Sequence, residues 1–302
     1  MSRWPNLSDL LVQDDAPIGL VGAPLAAGSV TPGRCDLAPA ELRKAMRRMG
    51  RYNVETGREI AEPVRDHGDV DLFELGIAQA FEPIRDAVAK SVGKHALTLL
   101  VGGNNAVTRP GVHGLGTGMN LALDKLGLIT IDAHFDMRET TGGLSNGNPV
   151  RALIEDGLPG RNIAQIGLAP FANSKAMHDD ALAAGNLVIS IGEVRQQGIM
   201  VAVDRALQHV VHCQAILVDC DIDVIDRSQF PAAPGARACG MEASDFFAAA
   251  RRLAAEPRVR VIDLTEWDPL LDGTDLSALT AARWLAEVLT GFEDRARTGS
   301  GR

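Results

Sequence analysis

Cysteine is scarce and unpatterned. The 302 residues contain four, Cys35, Cys213, Cys220 and Cys239, with no C-x-x-C pair and no regular spacing. That leaves no framework for disulfides or a zinc knuckle, and the four read as reduced thiols. No stretch approaches the ~18 unbroken apolar residues of a membrane span, and the residues before Asp14-Asp15 lack the apolar core of a signal peptide. The expected location is therefore the cytoplasm, away from membranes. Thirty Lys and Arg stand against 39 Asp and Glu, a formal charge of −9, with no run of five like charges. A nucleic-acid surface is not expected from such a balance. A Walker sequence, a Ser-His-Asp order and a nucleophilic-cysteine signature are also missing. Gly114, Gly116 and Gly118 lack the preceding strand and the full spacing of a dinucleotide loop.

No internal repeat, low-complexity tract or long linker interrupts the chain, so residues 1–302 read as one domain with a core over about 17–292. With 46% apolar and 23% charged residues the composition is that of an ordinary globular protein. Short β-branched runs recur at 18–21, 96–101, 128–131, 163–166, 187–189, 215–218 and 259–264, with a weaker one near Ile60. Between them, residues 40–48, 75–91, 175–184, 201–212, 242–255 and 276–289 place apolar residues three and four apart. Strands alternating with helices predict an α/β fold of three layers, a mainly parallel sheet covered by helices on both faces. Ligands of such sheets bind past the carboxyl ends of strands.

Two acidic clusters stand there. After 128–131 comes Asp132-Ala133-His134-Phe135-Asp136, and after 215–218 comes Asp219-Cys220-Asp221-Ile222-Asp223. Strand alternation puts Asp132 and His134 on one face, lets Asp136 join them as strand gives way to loop, and turns Cys220 toward the core. Carboxylates with an imidazole suit a hard divalent cation such as manganese. Several acids converging in a partly dehydrated cleft would otherwise repel by a few kcal/mol per pair, and a cation removes that conflict.

These two segments, with Glu266-Trp267-Asp268-Pro269, resemble the signature segments of the ureohydrolase family, which contains arginases, agmatinases and formiminoglutamases. The resemblance runs in order from about Gly19 to Leu289. It implies a single α/β domain with a sheet of about eight strands, two manganese ions, and hydrolysis of a C–N bond in a guanidine or amidine. It further implies that Asp132 and Asp221 bridge the ions, Asp136 completes the first, and His134 with Asp223 holds the second. Water whose pKa the metals lower would attack the planar amidine carbon. Asp136 would shuttle the proton to the leaving nitrogen, and Glu266 would pair with the cationic nitrogen of the substrate. Related enzymes form trimers or hexamers, so a homo-oligomer is expected.

One position departs from the family pattern. Members usually read Gly-Gly-Asp-His after the preceding strand, the His being a ligand to the first metal, where this chain has Gly102-Gly103-Asn104-Asn105. The amide oxygen of Asn105 would replace imidazole as a weaker donor, and His113 lies too far along to substitute. The loop Leu144-Ser145-Asn146-Gly147-Asn148-Pro149 matches the family's substrate loop. Met137-Arg138, Phe171-Ala172-Asn173-Ser174 and Pro234-Gly235-Ala236-Arg237 are similar to the formiminoglutamase branch. The expected small-molecule substrate is thus N-formimidoyl-L-glutamate, cleaved to formamide and L-glutamate. Arg138, Arg151, Arg237, Asn146, Asn173 and Glu266 are its candidate contacts. The alternatives are an arginase- or agmatinase-type reaction on another guanidine, and a metal-poor relative that binds without turnover.

Overall fold

The central runs are apolar on both faces, which commits them to a sheet that helices cover twice. The computed structural model describes residues 4–299. Their strands are β1 (Leu11–Val12), β2 (Ile18–Ala23), β3 (Tyr52–Asn53), β4 (Arg58–Glu59), β5 (Val64–Asp69), β6 (Leu97–Gly102), β7 (Leu126–Ile131), β8 (Ile163–Leu168), β9 (Leu187–Ser190), β10 (Ala215–Asp221) and β11 (Val259–Thr265). The helices are α1 (Ala38–Ala45), α2 (Ile77–Val92), α3 (Thr108–Met119), α4 (Pro149–Asp156), α5 (Lys175–Ala184), α6 (Ile191–Gln197), α7 (Ile199–His209), α8 (Ala243–Ala254) and α9 (Leu276–Gly299). Nine strands form one sheet in the order β1-β5-β2-β6-β11-β10-β7-β8-β9, every neighbour parallel, while β3 and β4 make a separate antiparallel pair. The count of nine, close to the eight or so expected, includes the two-residue edge strand β1.

Alternation sorts the strand side chains between two cores. Ile129, Ile131, Ile216, Val218 and Cys220 pack with α1 and α6 to α9, whereas Leu126, Leu128, Ala215, Leu217 and Val261 pack with α2 to α5. Cys220 is fully buried on the face away from Asp219 and Asp221, as alternation predicts. All four cysteines are free thiols. No helix among the described residues is long and apolar enough to cross a membrane.

Helix α3 is the main element that periodicity passes over. Four of its twelve residues are glycine, so it shows little apolar stripe, yet those glycines let it lie close against α2. A Cβ on Gly114 would stand 2.7 Å from the Arg85 carbonyl oxygen. Strand β5, Val-Arg-Asp-His-Gly-Asp, is also largely polar, because Asp66 and Asp69 face Arg43 of α1.

The strand order fixes where a ligand can sit. Strands β6, β11, β10 and β7 are adjacent in the middle of the sheet, and they end level with one another, Asp221 opposite Thr265 and Cys220 opposite Ile131. Asn105, Glu266, Asp221 and Asp132 therefore emerge side by side at one carboxyl edge, in the crevice where open α/β sheets bind ligands.

Candidate metal centre

Each acidic cluster folds into a short turn that aims its side chains. The His134 amide donates to Asp132 Oδ1 at 2.7 Å, and the Asp223 amide donates to Asp221 Oδ1 at 3.0 Å. Both are i to i+2 side-chain turns of the kind aspartate favours. Asp136 (φ 51°) and Glu266 (φ 61°) sit in the left-handed region, an uncommon and strained conformation for residues with side chains. The chain thereby leaves β7 and β11 abruptly, and both carboxyls face the cleft.

The result is two overlapping ligand sets. Asp132, His134 and Asp223 offer atoms mutually within 4.8 Å, as do Asp132, Asp136 and Asp221, so Asp132 belongs to both. His134 Nδ1 lies 3.2 Å from Asp223 Oδ2 and 3.4 Å from Asp132 Oδ1. The four aspartates are buried, none more than 7% exposed. Burial pushes the Asp132 carboxyl up to about 6, with Asp223 adding to it, and carries Asp136 and Asp221 well above the ordinary carboxylate range. The negative charge of Asp223 and its neighbour Asp132 hold His134 up at about 12. Burial likewise lifts Glu266 to about 7.

The residues fit hard cations. Oxygen donors with one imidazole match manganese or a similar ion. Among the described residues Asp223 Oδ1 is buried without any hydrogen-bond partner, which leaves a lone pair for a ligand. Gly235 closes over the same carboxylate, where a Cβ would come within 1.9 Å of Asp223 Oδ2.

Asn105 reaches the expected place but presents the other end of its amide. Its backbone N–H donates to Glu266 Oε1 at 2.7 Å, and its side-chain Nδ2 donates to Asp136 Oδ2 at 2.5 Å. Its oxygen turns away, accepting from Thr108 Oγ1 at 2.7 Å and Thr265 Oγ1 at 3.3 Å. Beneath these hydroxyls lies a buried carboxyl pair that sequence reading did not single out as such, Asp219 of β10 beside Asp263 of β11. Burial raises both. An aspartate inside the apolar run Val-Arg-Val-Ile-Asp-Leu-Thr is the signal that marks Asp263.

The candidate substrate contacts divide. Arg138 and Arg237 line the cleft with exposed side chains, and among the described residues neither has a carboxylate partner within 4.0 Å. Arg151 stands apart from them. It does not line the cleft, because its guanidinium is held by the Met137 carbonyl at 3.0 Å and by Asp180 at 2.5 Å, which ties down the loop after β7. Asn146 and Asn173 do line the cleft, yet their amides are engaged internally. Asn146 donates to Glu266 Oε1 at 2.8 Å and accepts from the Val30 amide at 2.8 Å. Asn173 accepts from the Phe135 amide at 2.8 Å and donates to the Ala133 carbonyl at 2.9 Å, so it grips the backbone on both sides of His134.

A nine-stranded α/β sheet carrying two ligand sets that share one aspartate defines a candidate dinuclear metal protein. Comparison with known proteins makes the class specific: the arginase-family model matches residues 16–291, and the chain belongs to the arginase family. The formimidoylglutamase of Bacillus subtilis strain 168 is 27% identical over 298 residues, covering 95% of this chain and 92% of the relative. The crystal structure of formimidoylglutamase from that species superposes with a TM-score of 0.90 at 26% identity, over 97% of this chain and 93% of the other. A Trypanosoma cruzi formiminoglutamase solved with Mn2+ shares the fold at a TM-score of 0.88 and 22% identity, over 96% of this chain and 99% of that one.

Proposed function

We propose that this protein is a manganese-dependent hydrolase that converts N-formimidoyl-L-glutamate to formamide and L-glutamate. The observation that carries the reading is the pairing of two buried ligand sets with a rim that bears two arginines free of carboxylate partners among the described residues. The formimidoylglutamase relatives support the choice of substrate. Asp132, Asp136, Asp221 and Asn105 would hold one ion, and Asp132, Asp221, His134 and Asp223 the other. Bound divalent ions would lower the pKa of water and offset the charge of the carboxylates.

The chain's own residues supply the rest. Glu266, fixed by the Asn105 and Asn146 amides, pairs with the cationic nitrogen of the amidine in a charge-assisted contact. Asp136 would carry the proton that the departing glutamate nitrogen must gain when the C–N bond breaks. Arg138 and Arg237 take the two substrate carboxylates, which a guanidinium can bind through two parallel hydrogen bonds. Asn173 acts at one remove by fixing the backbone around His134. Family resemblance supports a cytoplasmic homo-oligomer.

The test is formamide release by protein stripped with chelator and reconstituted with manganese. Formimidoylglutamate should be hydrolysed, and Arg237→Ala or Arg138→Ala should raise KM at least about tenfold while kcat changes less, the pattern of lost ground-state binding. Urea release from arginine or agmatine without formamide release would overturn the substrate assignment.

A further inference from the structure

The environment of Asn105 is built for two orientations of one amide. The side chain is 1% exposed and its backbone is pinned to Glu266, so a half-turn of the amide, which exchanges nitrogen and oxygen at nearly constant shape, is its available motion. In the present orientation the nitrogen faces Asp136 and the oxygen faces two threonines. Each threonine hydroxyl has a single hydrogen and two acceptors competing for it. Thr108 Oγ1 lies 2.7 Å from Asn105 Oδ1 and 3.1 Å from Asp263 Oδ2, and Thr265 Oγ1 lies 3.3 Å from Asn105 Oδ1 and 3.4 Å from Asp219 Oδ1. When both hydrogens go to the amide oxygen, neither carboxyl oxygen receives one from them.

Turning the amide over changes the count. Its two N–H bonds would each meet a threonine oxygen, and each hydroxyl could pass its own hydrogen to Asp263 or Asp219. Four hydrogen bonds replace two on that side. On the other side Asn105 Oδ1 would then face Asp136 Oδ2 at the close range the nitrogen now occupies, 2.5 Å. Two oxygens so placed repel unless a cation lies between them. We propose that Thr108 and Thr265, backed by Asp263 and Asp219, are positioning residues that capture the turned amide of Asn105 and hold its oxygen as a ligand when a divalent ion enters between Asn105 and Asp136.

This inference rests on the proposed role of Asn105 as a ligand, and the experiment separates the two. Manganese bound per chain is measured over a range of free ion for the full-length wild type, Thr108→Val, Thr265→Val and Thr108→Ser. The wild type should bind two ions. Each valine variant should weaken the weaker site by about 10- to 100-fold, the usual consequence of losing a group that orients a metal ligand, and leave the tighter site unchanged. Thr108→Ser, which keeps the hydroxyl, should behave as wild type, a rescue that loss of packing alone would not produce. Thr265→Val carries the test if Thr108→Val fails to fold. Two ions bound with equal affinity by wild type and valine variants would overturn this inference alone. A wild type that never takes a second ion would overturn the ligand role of Asn105 and this inference with it.

Discussion

Removing manganese should make the protein's stability strongly dependent on pH, and restoring it should abolish much of that dependence. In the metal-free fold Asp132 is carried from 3.8 to about 6 and Glu266 from 4.5 to about 7, each chiefly by burial. A carboxyl whose folded value is raised leaves stability intact below its unfolded value near 4 and withdraws it as pH rises through the folded value. The window is therefore about pH 4 to 7. At about 1.4 kcal/mol per tenfold change in proton affinity, the raised carboxyls together cost the metal-free fold on the order of a few kcal/mol by the top of that window. His134 has the same sign, since its raised affinity contributes below 6.5 and is lost toward about 12. Ion binding acts oppositely, because it requires the deprotonated ligands and tightens as pH rises. At a free concentration 100 times the dissociation constant it adds about 2.7 kcal/mol. For 302 residues, an unfolding entropy of about 0.6 kcal/mol/K turns that into a rise of about 4 °C in Tm. Calorimetric melting at pH 5, 6, 7 and 8, with and without millimolar manganese after chelator stripping, measures both effects. A manganese shift that is absent, or that is as large at pH 5 as at pH 8, would refute the reasoning.

Asp132→Asn removes a carboxylate that belongs to both ligand sets. It should lose manganese uptake at both sites, and formamide release should fall below detection; metal analysis after dialysis that still finds two ions per chain would contradict a shared ligand. Asn105→His should tighten the weaker manganese without changing net charge, imidazole being the better donor, and raise activity at limiting manganese. An unchanged binding isotherm would show that residue 105 does not reach the ion. Away from the site, Asp156 is partly buried, which would raise it, but hydrogen bonds from Arg109 and His113 hold it at about 2. A depressed carboxyl contributes above its unfolded value and is lost as pH falls through the folded one. Asp156→Asn should therefore cost about 1–2 kcal/mol at pH 7, read from urea unfolding, and almost nothing at pH 2.

What the sequence disclosed of the fold depends on how much apolar surface each element buries. Strands β6, β7 and β10 are covered on both faces and announce themselves as continuous apolar runs. Strand β5 does not, because it carries Asp66 and His67, polar groups that the structure satisfies with distant partners: Asp66 with Arg43, and His67 with His95, whose Nε2 atoms lie 2.8 Å apart. The weak expectation near Ile60 falls between β4 and β5, at the start of that polar segment. Helix α3 escapes for a related reason. Its contact with α2 is made by absence of side chain, and periodicity counts only side chains that are present.

The same distinction separates what was readable at the site. The aspartates of the two clusters share a rule, acid at the end of a buried strand, and the parallel register then brings them to one level without further instruction. Asn146, Asn173 and Arg151 obey no such rule. Each is a polar residue on a rim loop, and whether its donors face solvent, substrate or its own backbone depends on loop paths that composition does not encode. In the structure the two asparagines spend both ends of their amides on Glu266, Val30, Ala133 and Phe135, and the arginine is consumed by Met137 and Asp180. Among the described residues that leaves Arg138 and Arg237 as the cleft-lining arginines without an internal carboxylate, which is the ground on which they are proposed as substrate contacts. Residue 105 lies between these cases. Its place beside Asp136 was set by the strand before it, but which atom it offers depends on how two threonine hydrogens are shared among an amide and two carboxyls. Hydrogen-bond valence of that kind exists only once β6, β10, β11 and α3 have been brought together, so a change at Thr108 or Thr265, remote from the cleft and silent in any motif, reaches the metal through Asn105.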